Sequence, residues 1–151
     1  MDIYHLLFNA VSFIPGPLWM ALWLVPQSRL LHRIIDAIII LFCAGYTLLV
    51  LPDLPQILPL IAKPTPEALA AVFGTVPAVS LAWTHFVIGD LWVGRWIAVD
   101  SSKEGFAKWA RLPILLLTLF FGPMGFLFYI LVRSIVRKKN PLMFSDSTKL
   151  S

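Results

Sequence analysis

The sequence has little charge. Of its 151 residues only 13% are Asp, Glu, Lys or Arg and 59% are hydrophobic, whereas soluble domains carry about 25% charged residues. So few charges cannot cover a water-exposed surface, and helical stripes with a charged outer face are missing. These absences disfavour a soluble bundle.

Cysteine and metal-ligand motifs are also scarce. A single cysteine, Cys43, excludes a disulfide framework or a thiolate metal cluster within one chain. The three histidines lie on separate segments without His-x-x-His or Glu-x-x-His spacing, which disfavours a non-haem di-iron enzyme. No GxGxxG, Walker A or GxSxG sequence occurs. The sequence therefore predicts neither a metal nor a cofactor.

The chain does have four long apolar segments. Residues 3–25, 34–51, 77–99 and 112–132 are each near the roughly 20 residues that cross a ~30 Å hydrocarbon core. They predict an all-α polytopic membrane protein, a four-transmembrane-helix bundle that forms one membrane domain over residues 1–140. The short C-terminal tail, residues 141–151, is expected to be disordered.

Proline and glycine interrupt two of these segments. The first contains Pro15, Gly16 and Pro17, and the fourth contains Gly122 and Pro123. Proline removes a backbone donor and clashes with the preceding turn, so both helices are expected to kink or break. Broken membrane helices often line cavities, because freed carbonyls need protein or water partners. A packing kink without a cavity explains the pattern equally well.

The connection between the second and third spans is not predicted to cross the membrane. It contains five prolines: Pro52, Pro55, Pro59, Pro64 and Pro66. Within "TPEALAAVF", Thr65 is a suitable N-cap, Pro66 suits the first helical position and Glu67 suits the first turn. We expect a short interfacial helix here.

Three ionisable side chains lie within the third span: His85, Asp90 and Arg95. At 100° per residue they point in three directions, so the helix that carries them is expected to lie centrally. Intramembrane charges cost near ~3 kcal/mol on insertion scales and are functional candidates by default. Arg95 can snorkel to the interface or pair with an acid, and His85 can carry a proton. Asp90 lies too deep to reach the interface. Buried ion pairs that hold a bundle together explain these three residues equally well.

Basic residues give a weak indication of orientation. The C-terminal stretch "RSIVRKKN" is predicted to meet anionic lipid headgroups rather than nucleic acid. Four spans would place the following six basic residues on one side: Lys63, Arg133, Arg137, Lys138, Lys139 and Lys149. Five would lie on the other: Arg29, Arg33, Lys103, Lys108 and Arg111. The positive-inside rule barely separates six from five, and the denser tail favours a cytoplasmic C-terminus.

Three stretches carry a family resemblance. "THFVIGDLWVGRWIAVD" resembles the Thr-His plus Asp-Leu-Phe-Val-x-Arg-Trp segment of the abscisic-acid-deficient-four-like family of small membrane proteins, with Trp92 where the family more often has phenylalanine. "NAVSFIPGPLWMALWLVPQSRL" resembles its N-terminal helix, and "FFGPMGFLFYILVR" its Phe-Gly-Pro-x-Gly-Leu signature. Because no plastid transit peptide is evident, the resemblance implies a bacterial member in the inner membrane.

The resemblance also implies a substrate class. Plant members are associated with neoxanthin formation from violaxanthin, so a carotenoid or other isoprenoid lipid is the expected ligand, isomerised by acid/base chemistry or by epoxide rearrangement. The matching catalytic candidates are Asp90, His85 and Arg95. The candidate substrate-binding residues are Trp19, Thr84, Trp92, Trp96 and Pro123.

Two other functions stay open. A non-enzymatic binding or assembly subunit would use its buried Asp and Arg to pair with a membrane protein partner or a second copy of the chain. A transporter or proton-coupled carrier would use the broken helices and the intramembrane charge. Membrane lipids are expected neighbours in every case.

Overall fold

The computed structural model describes residues 2–137, and every regular element in that range is helical. The predicted tail at 141–151 lies outside it. The helices are α1 (Ile3–Phe13), α2 (Pro15–Leu24), α3 (Arg29–Val50), α4 (Leu54–Ala62), α5 (Pro66–Phe73), α6 (Val76–Lys103) and α7 (Lys108–Arg137). The all-α prediction is confirmed.

Four helical segments are long and apolar enough to cross a membrane: Ile3–Leu24, Arg29–Ala62, Val76–Lys103 and Lys108–Val136. They overlap the four predicted spans. Many of their large apolar side chains are exposed, as expected where hydrocarbon rather than water is the solvent. The chain is therefore treated below as a membrane protein.

Side chains cap several helix starts. The Ser28 hydroxyl accepts a hydrogen bond from the Leu31 amide at 3.3 Å, so α3 begins before the predicted boundary at residue 34. Thr65 accepts from the Ala68 amide at 3.2 Å, which confirms the predicted N-cap of α5. Asp2 accepts from the His5 amide at 2.9 Å, and this hydrogen bond lowers the pKa of Asp2.

The connection after α3 is more helical than its prolines predict. A short 3₁₀ turn, Leu51–Asp53, leads into α4, which carries Pro59 in its interior. Pro55 lies in the first turn of α4, where a missing amide hydrogen costs nothing. Only Pro59 therefore removes a hydrogen bond from this segment, and the sequence reading overestimated the effect of the prolines.

The two predicted breaks differ in kind. Between α1 and α2 the backbone of Ile14 stays near helical values, with φ −62° and ψ −40°, so the first span is interrupted without changing course there. In α7 the backbone of Phe121 has φ −142° and ψ 54°. These angles lie far from helical values.

The chain reverses direction at Phe121. A Cβ atom on Gly125 would overlap the backbone of Thr118, although in a straight helix residues seven apart are separated by about 10 Å along the axis. Arg133 also reaches Glu104, four residues before α7 begins. We call residues 108–120 the first leg and residues 122–137 the second leg of this hairpin.

The described residues form two compact units. Residues 2–18 and 28–89 belong to the first, and residues 19–27 and 90–137 to the second. The core of the first unit includes Val11 and Ile35, and that of the second includes Leu91 and Ile97. Helix α6 contributes residues to both units, and the single membrane domain stays a prediction.

Candidate functional site

Asp90 lies at the reversal of α7. It is the fifteenth of the 28 residues of α6, and its carboxylate lies where a side chain on Gly122 would begin. Only glycine leaves room for this approach. Asp90 is half-buried, and within residues 2–137 no hydrogen bond or ion pair engages its carboxylate.

The reversal also supplies backbone groups near Asp90. The second leg begins at Gly122, and the first amides of a helix have no partner within that helix. Pro123 follows directly and has no amide hydrogen to donate. The positive end of a helix dipole favours an adjacent carboxylate in its ionised form, so the start of the second leg can stabilise the charge of Asp90.

A second aspartate on α6 has a full set of partners. The hydroxyl of Tyr129 donates to Asp100 Oδ2 at 2.5 Å, and Arg133 Nε lies 3.0 Å from the same oxygen. Arg133 Nη2 lies 3.9 Å from Glu104 Oε1. The Nε contact is an ion pair whose angles fall outside hydrogen-bond geometry. We call Asp100, Glu104, Tyr129 and Arg133 the Asp100 cluster.

Aromatic rings enclose Tyr129, which is fully buried. The ring of Trp96 lies edge-on at 5.5 Å between centroids, and the ring of Phe106 lies at 6.1 Å. Trp96 also packs on Phe126 at 5.9 Å. Trp96, a predicted substrate-binding residue, thus packs against Tyr129 of the Asp100 cluster.

Trp19 is in close contact with α6. Its indole is 6% exposed and occupies the space over Gly94, where any side chain would overlap the ring. Helices approach closely at small residues in membranes. Trp19, also predicted to bind substrate, therefore packs the first span onto α6.

His85 and Thr84 belong to the first unit. His85 is exposed, and its ring lies 6.3 Å from the ring of Tyr46. Thr84 is fully buried, and its hydroxyl donates to the carbonyl of Ser80 at 2.8 Å, so its hydrogen is used within its own helix. Nearby, the Trp83 indole donates to the Ser12 hydroxyl at 3.0 Å.

The remaining predicted site residues lie in the second unit. Arg95 is half-buried, Trp92 is 64% exposed, and Pro123 is exposed just after the reversal. Because α6 is continuous, the predicted angular spread of His85, Asp90 and Arg95 holds, and these three do not share one face. Asp90 is the predicted catalytic residue that the structure shows in contact with the reversal of α7.

Sequence reasoning missed the Asp100 cluster. It ended the third span at Val99, whereas α6 continues to Lys103. It also placed Arg133 among basic residues that meet lipid headgroups, but Arg133 is 7% exposed and paired with Asp100. The signal was present in the spacing of Tyr129 and Arg133, which lie four residues apart and so on one helix face.

Arg111 is a second buried arginine. It lies in the first turn of α7 and is 4% exposed, and its Nε and Nη1 atoms have no hydrogen-bond partner within the described residues. The sequence interpretation counted it with the basic residues of a loop. Among residues 2–137, no group of three or more His, Cys, Asp or Glu side chains could hold a metal ion.

These features define the class of the protein. It is an all-helical membrane protein with four long apolar segments, and ionisable side chains lie within these segments. A family model described as ABA DEFICIENT 4-like matches residues 6–129, and the chain belongs to this family. No curated protein and no solved structure matches the chain.

Proposed function

We propose that the protein binds a hydrophobic isoprenoid within the membrane and isomerises it, with Asp90 as the acid or base. The observation that carries this proposal is the position of the Asp90 carboxylate, which lies against the bare backbone of Gly122 without an ion pair within the described residues. A buried carboxyl with no fixed counter-charge is suited to exchange a proton with a substrate.

The Asp100 cluster supports this choice by contrast. Tyr129 and Arg133 both engage Asp100 Oδ2, so protein groups already occupy this oxygen. The Asp90 carboxylate is half-buried and has no such partner within the described residues. A lipid-soluble substrate can reach such a group from the apolar phase, where no aqueous route is needed.

The proposed chemistry is an isomerisation. A protonated Asp90 gives its proton to the oxygen of a substrate epoxide as one C–O bond of the ring breaks. The resulting carboxylate takes a proton from an adjacent carbon, whose C–H electron pair forms the new double bond. The product is an alcohol with the same atoms as the epoxide, and because no electrons are gained or lost the rearrangement needs no redox partner. His85 and Arg95 remain predicted contributors to this reaction.

The test is conversion of pigment in a carotenoid-producing host. Cells that express the wild-type protein are expected to contain a new isomer, identified by chromatography with mass spectrometry. Asp90→Asn keeps the shape of the side chain but cannot release a carboxyl proton, and its pigments should match those of cells with an empty vector. Asp53→Asn, the same change in a 3₁₀ turn outside the hairpin, is the matched control and should convert like wild type.

A lipid extract of the purified protein adds a second measurement. A co-purified polyene or quinone would identify the substrate class directly. Identical pigments from wild type, Asp90→Asn and empty vector, together with an extract free of any isoprenoid, would contradict the proposal.

A further inference from the structure

We propose that α7 is a re-entrant hairpin, which enters the membrane from the cytoplasmic side, turns at mid-depth and leaves on the same side. The chain then crosses the membrane three times. This inference concerns topology and does not depend on the proposed function.

Over the residues that the structure describes, neither leg of the hairpin is long enough to cross a membrane. The first leg, residues 108–120, extends about 20 Å and the second, residues 122–137, about 24 Å at 1.5 Å per residue, against a hydrocarbon core of about 30 Å. The reversal faces Asp90, halfway along α6. Because α6 crosses the membrane, a turn beside the midpoint of α6 lies near the middle of the membrane.

The second leg runs in the same direction as α6. Along α6, Asp90 meets Gly122, Trp96 meets Phe126, and Asp100 meets both Tyr129 and Arg133. Positions increase together on the two helices, which is the order for parallel neighbours. A fourth crossing after a short loop would give antiparallel helices and the opposite order.

The turn satisfies the rule that limits irregular backbone inside membranes. Non-helical backbone is tolerated there only where protein or water covers it. Gly122 and Gly125 are both buried, the first against Asp90 and the second against Thr118. Gly122 therefore lets the second leg approach α6, and Gly125 lets it approach the first leg. Protein covers the backbone at these two glycines, while the side chains of Phe121 and Pro123 are exposed.

Three contacts bring the end of the first span, the α6–α7 loop and the end of α7 together. The Trp23 indole donates to the carbonyl of Lys108 at 3.0 Å, and the Gln27 amide donates to the Ser102 hydroxyl at 3.1 Å. Arg133 of the second leg contacts Glu104. The end of the first span, the α6–α7 loop and the end of α7 therefore share one side.

The distribution of basic residues then becomes strongly asymmetric. Helix α3 has 22 residues, enough to carry Lys63 to the other side. Six described basic residues lie at the side of the α6–α7 loop: Arg29, Arg33, Lys103, Lys108, Arg111 and Arg133. A four-crossing chain would place Lys63 and Arg133 opposite the other five of these seven residues, whereas the hairpin leaves only Lys63 opposite. The division of the same seven residues thus changes from five against two to six against one, and the positive-inside rule places the side with six in the cytoplasm.

The first experiment maps single cysteines. Cys43→Ser removes the natural thiol, and a cysteine is then added singly at Gln56, Ala107 or Ser151. A membrane-impermeant maleimide is expected to label Gln56→Cys in intact spheroplasts, and Ala107→Cys and Ser151→Cys only after permeabilisation. Labelling of Ser151→Cys together with Gln56→Cys would overturn the hairpin, and labelling of Ala107→Cys in intact spheroplasts would overturn the orientation.

A second experiment tests the fold of the hairpin in the membrane. In the same background, Glu104→Cys and Arg133→Cys are combined and treated with a bifunctional maleimide whose spacer matches the combined length of the two native side chains. The hairpin predicts an intrachain cross-link, seen by mass spectrometry after proteolysis, because the ends of the native side chains are 3.9 Å apart. A straight α7 would separate residue 133 from residue 108 by about 37 Å, beyond the reach of this reagent. An unlinked pair in protein that still extracts as a folded monomer would contradict the inference, and each single-cysteine variant controls for nonspecific labelling.

Discussion

Asp90 and Asp100 lie on the same helix, but the hairpin brings different groups to their carboxylates. It brings Tyr129 and Arg133 to Asp100 but only the backbone of a glycine to Asp90. A carboxylate with a cation and a hydroxyl donor holds two helices together, whereas one without a fixed counter-charge keeps its proton exchangeable. The comparison separates a residue that stabilises the fold from a residue available for chemistry, and four substitutions test that separation.

Arg133→Met is expected to have the largest effect on stability. It removes the cation from Asp100 and Glu104, whose side chains are 21% and 15% exposed, while it keeps an unbranched apolar stem. Loss of one partner of a buried ion pair costs about 3–5 kcal/mol. The apparent melting temperature in detergent, followed by circular dichroism, should fall by more than for any other variant below.

Lys103→Met is the control for Arg133→Met. Lys103 is an exposed basic residue at the end of α6, so its removal changes the net charge equally without breaking the Asp100 cluster. Equal melting temperatures for the two variants would mean that the cluster does not stabilise the hairpin.

Gly125→Ala is expected to have the next largest effect. The added methyl group would overlap the backbone of Thr118, which cannot move aside as a flexible side chain can. Overpacking of this kind costs up to about 3 kcal/mol. Melting in detergent should show the loss, and the cross-linked yield of the Glu104 and Arg133 cysteine pair should drop with it.

Gly89→Ala is the matched control for Gly125→Ala, since nothing lies within 4 Å of the position of its added Cβ. Alanine favours a helix by about 1 kcal/mol over glycine, so Gly89→Ala should melt at or above the wild-type temperature. A Gly125→Ala variant that behaves like Gly89→Ala would show that the two legs do not touch.

Tyr129→Phe is expected to have a smaller effect. It keeps the buried ring between Trp96 and Phe106 and removes only the hydroxyl that donates to Asp100. A hydrogen bond to a charged group contributes about 2 kcal/mol. A double-mutant cycle with Asp100→Asn measures this coupling, and strictly additive losses would mean that the two groups do not interact.

Much of the fold could be predicted from the sequence. Runs of apolar residues predicted the four long helices, and the prolines of the first and fourth spans predicted their interruptions, because both signals are local. The sequence could not predict that α7 folds back, since a kink and a reversal share the same Gly122 and Pro123. That outcome depends on which residues meet Thr118 and Glu104, and such contacts have no local signal.

The candidate site was predictable in part for the same reason. Asp90 was singled out by its depth, because any carboxylate inside an apolar run is costly, and by the family resemblance. Asp100 was left just outside the predicted third span, since its partners lie about thirty residues away along the chain and only the hairpin brings them near. Arg133 was read as a headgroup ligand because its neighbours in sequence are basic, whereas its neighbours in space are acidic.

Asp90→Asn is expected to have the smallest effect on stability, and it tests most directly whether Asp90 acts in the proposed reaction. Asparagine has the same size and fits the same space over Gly122, and no described ion pair is lost, so stability should change by no more than about 0.5 kcal/mol. Asp100→Asn, the same substitution on the same helix, should lower the melting temperature because it leaves Arg133 with only Glu104. Pigment conversion should be abolished by Asp90→Asn in protein that melts like wild type. If Asp90→Asn instead destabilised the protein as strongly as Asp100→Asn, both carboxylates would be structural, and Asp90 would no longer be distinguished as the residue for chemistry.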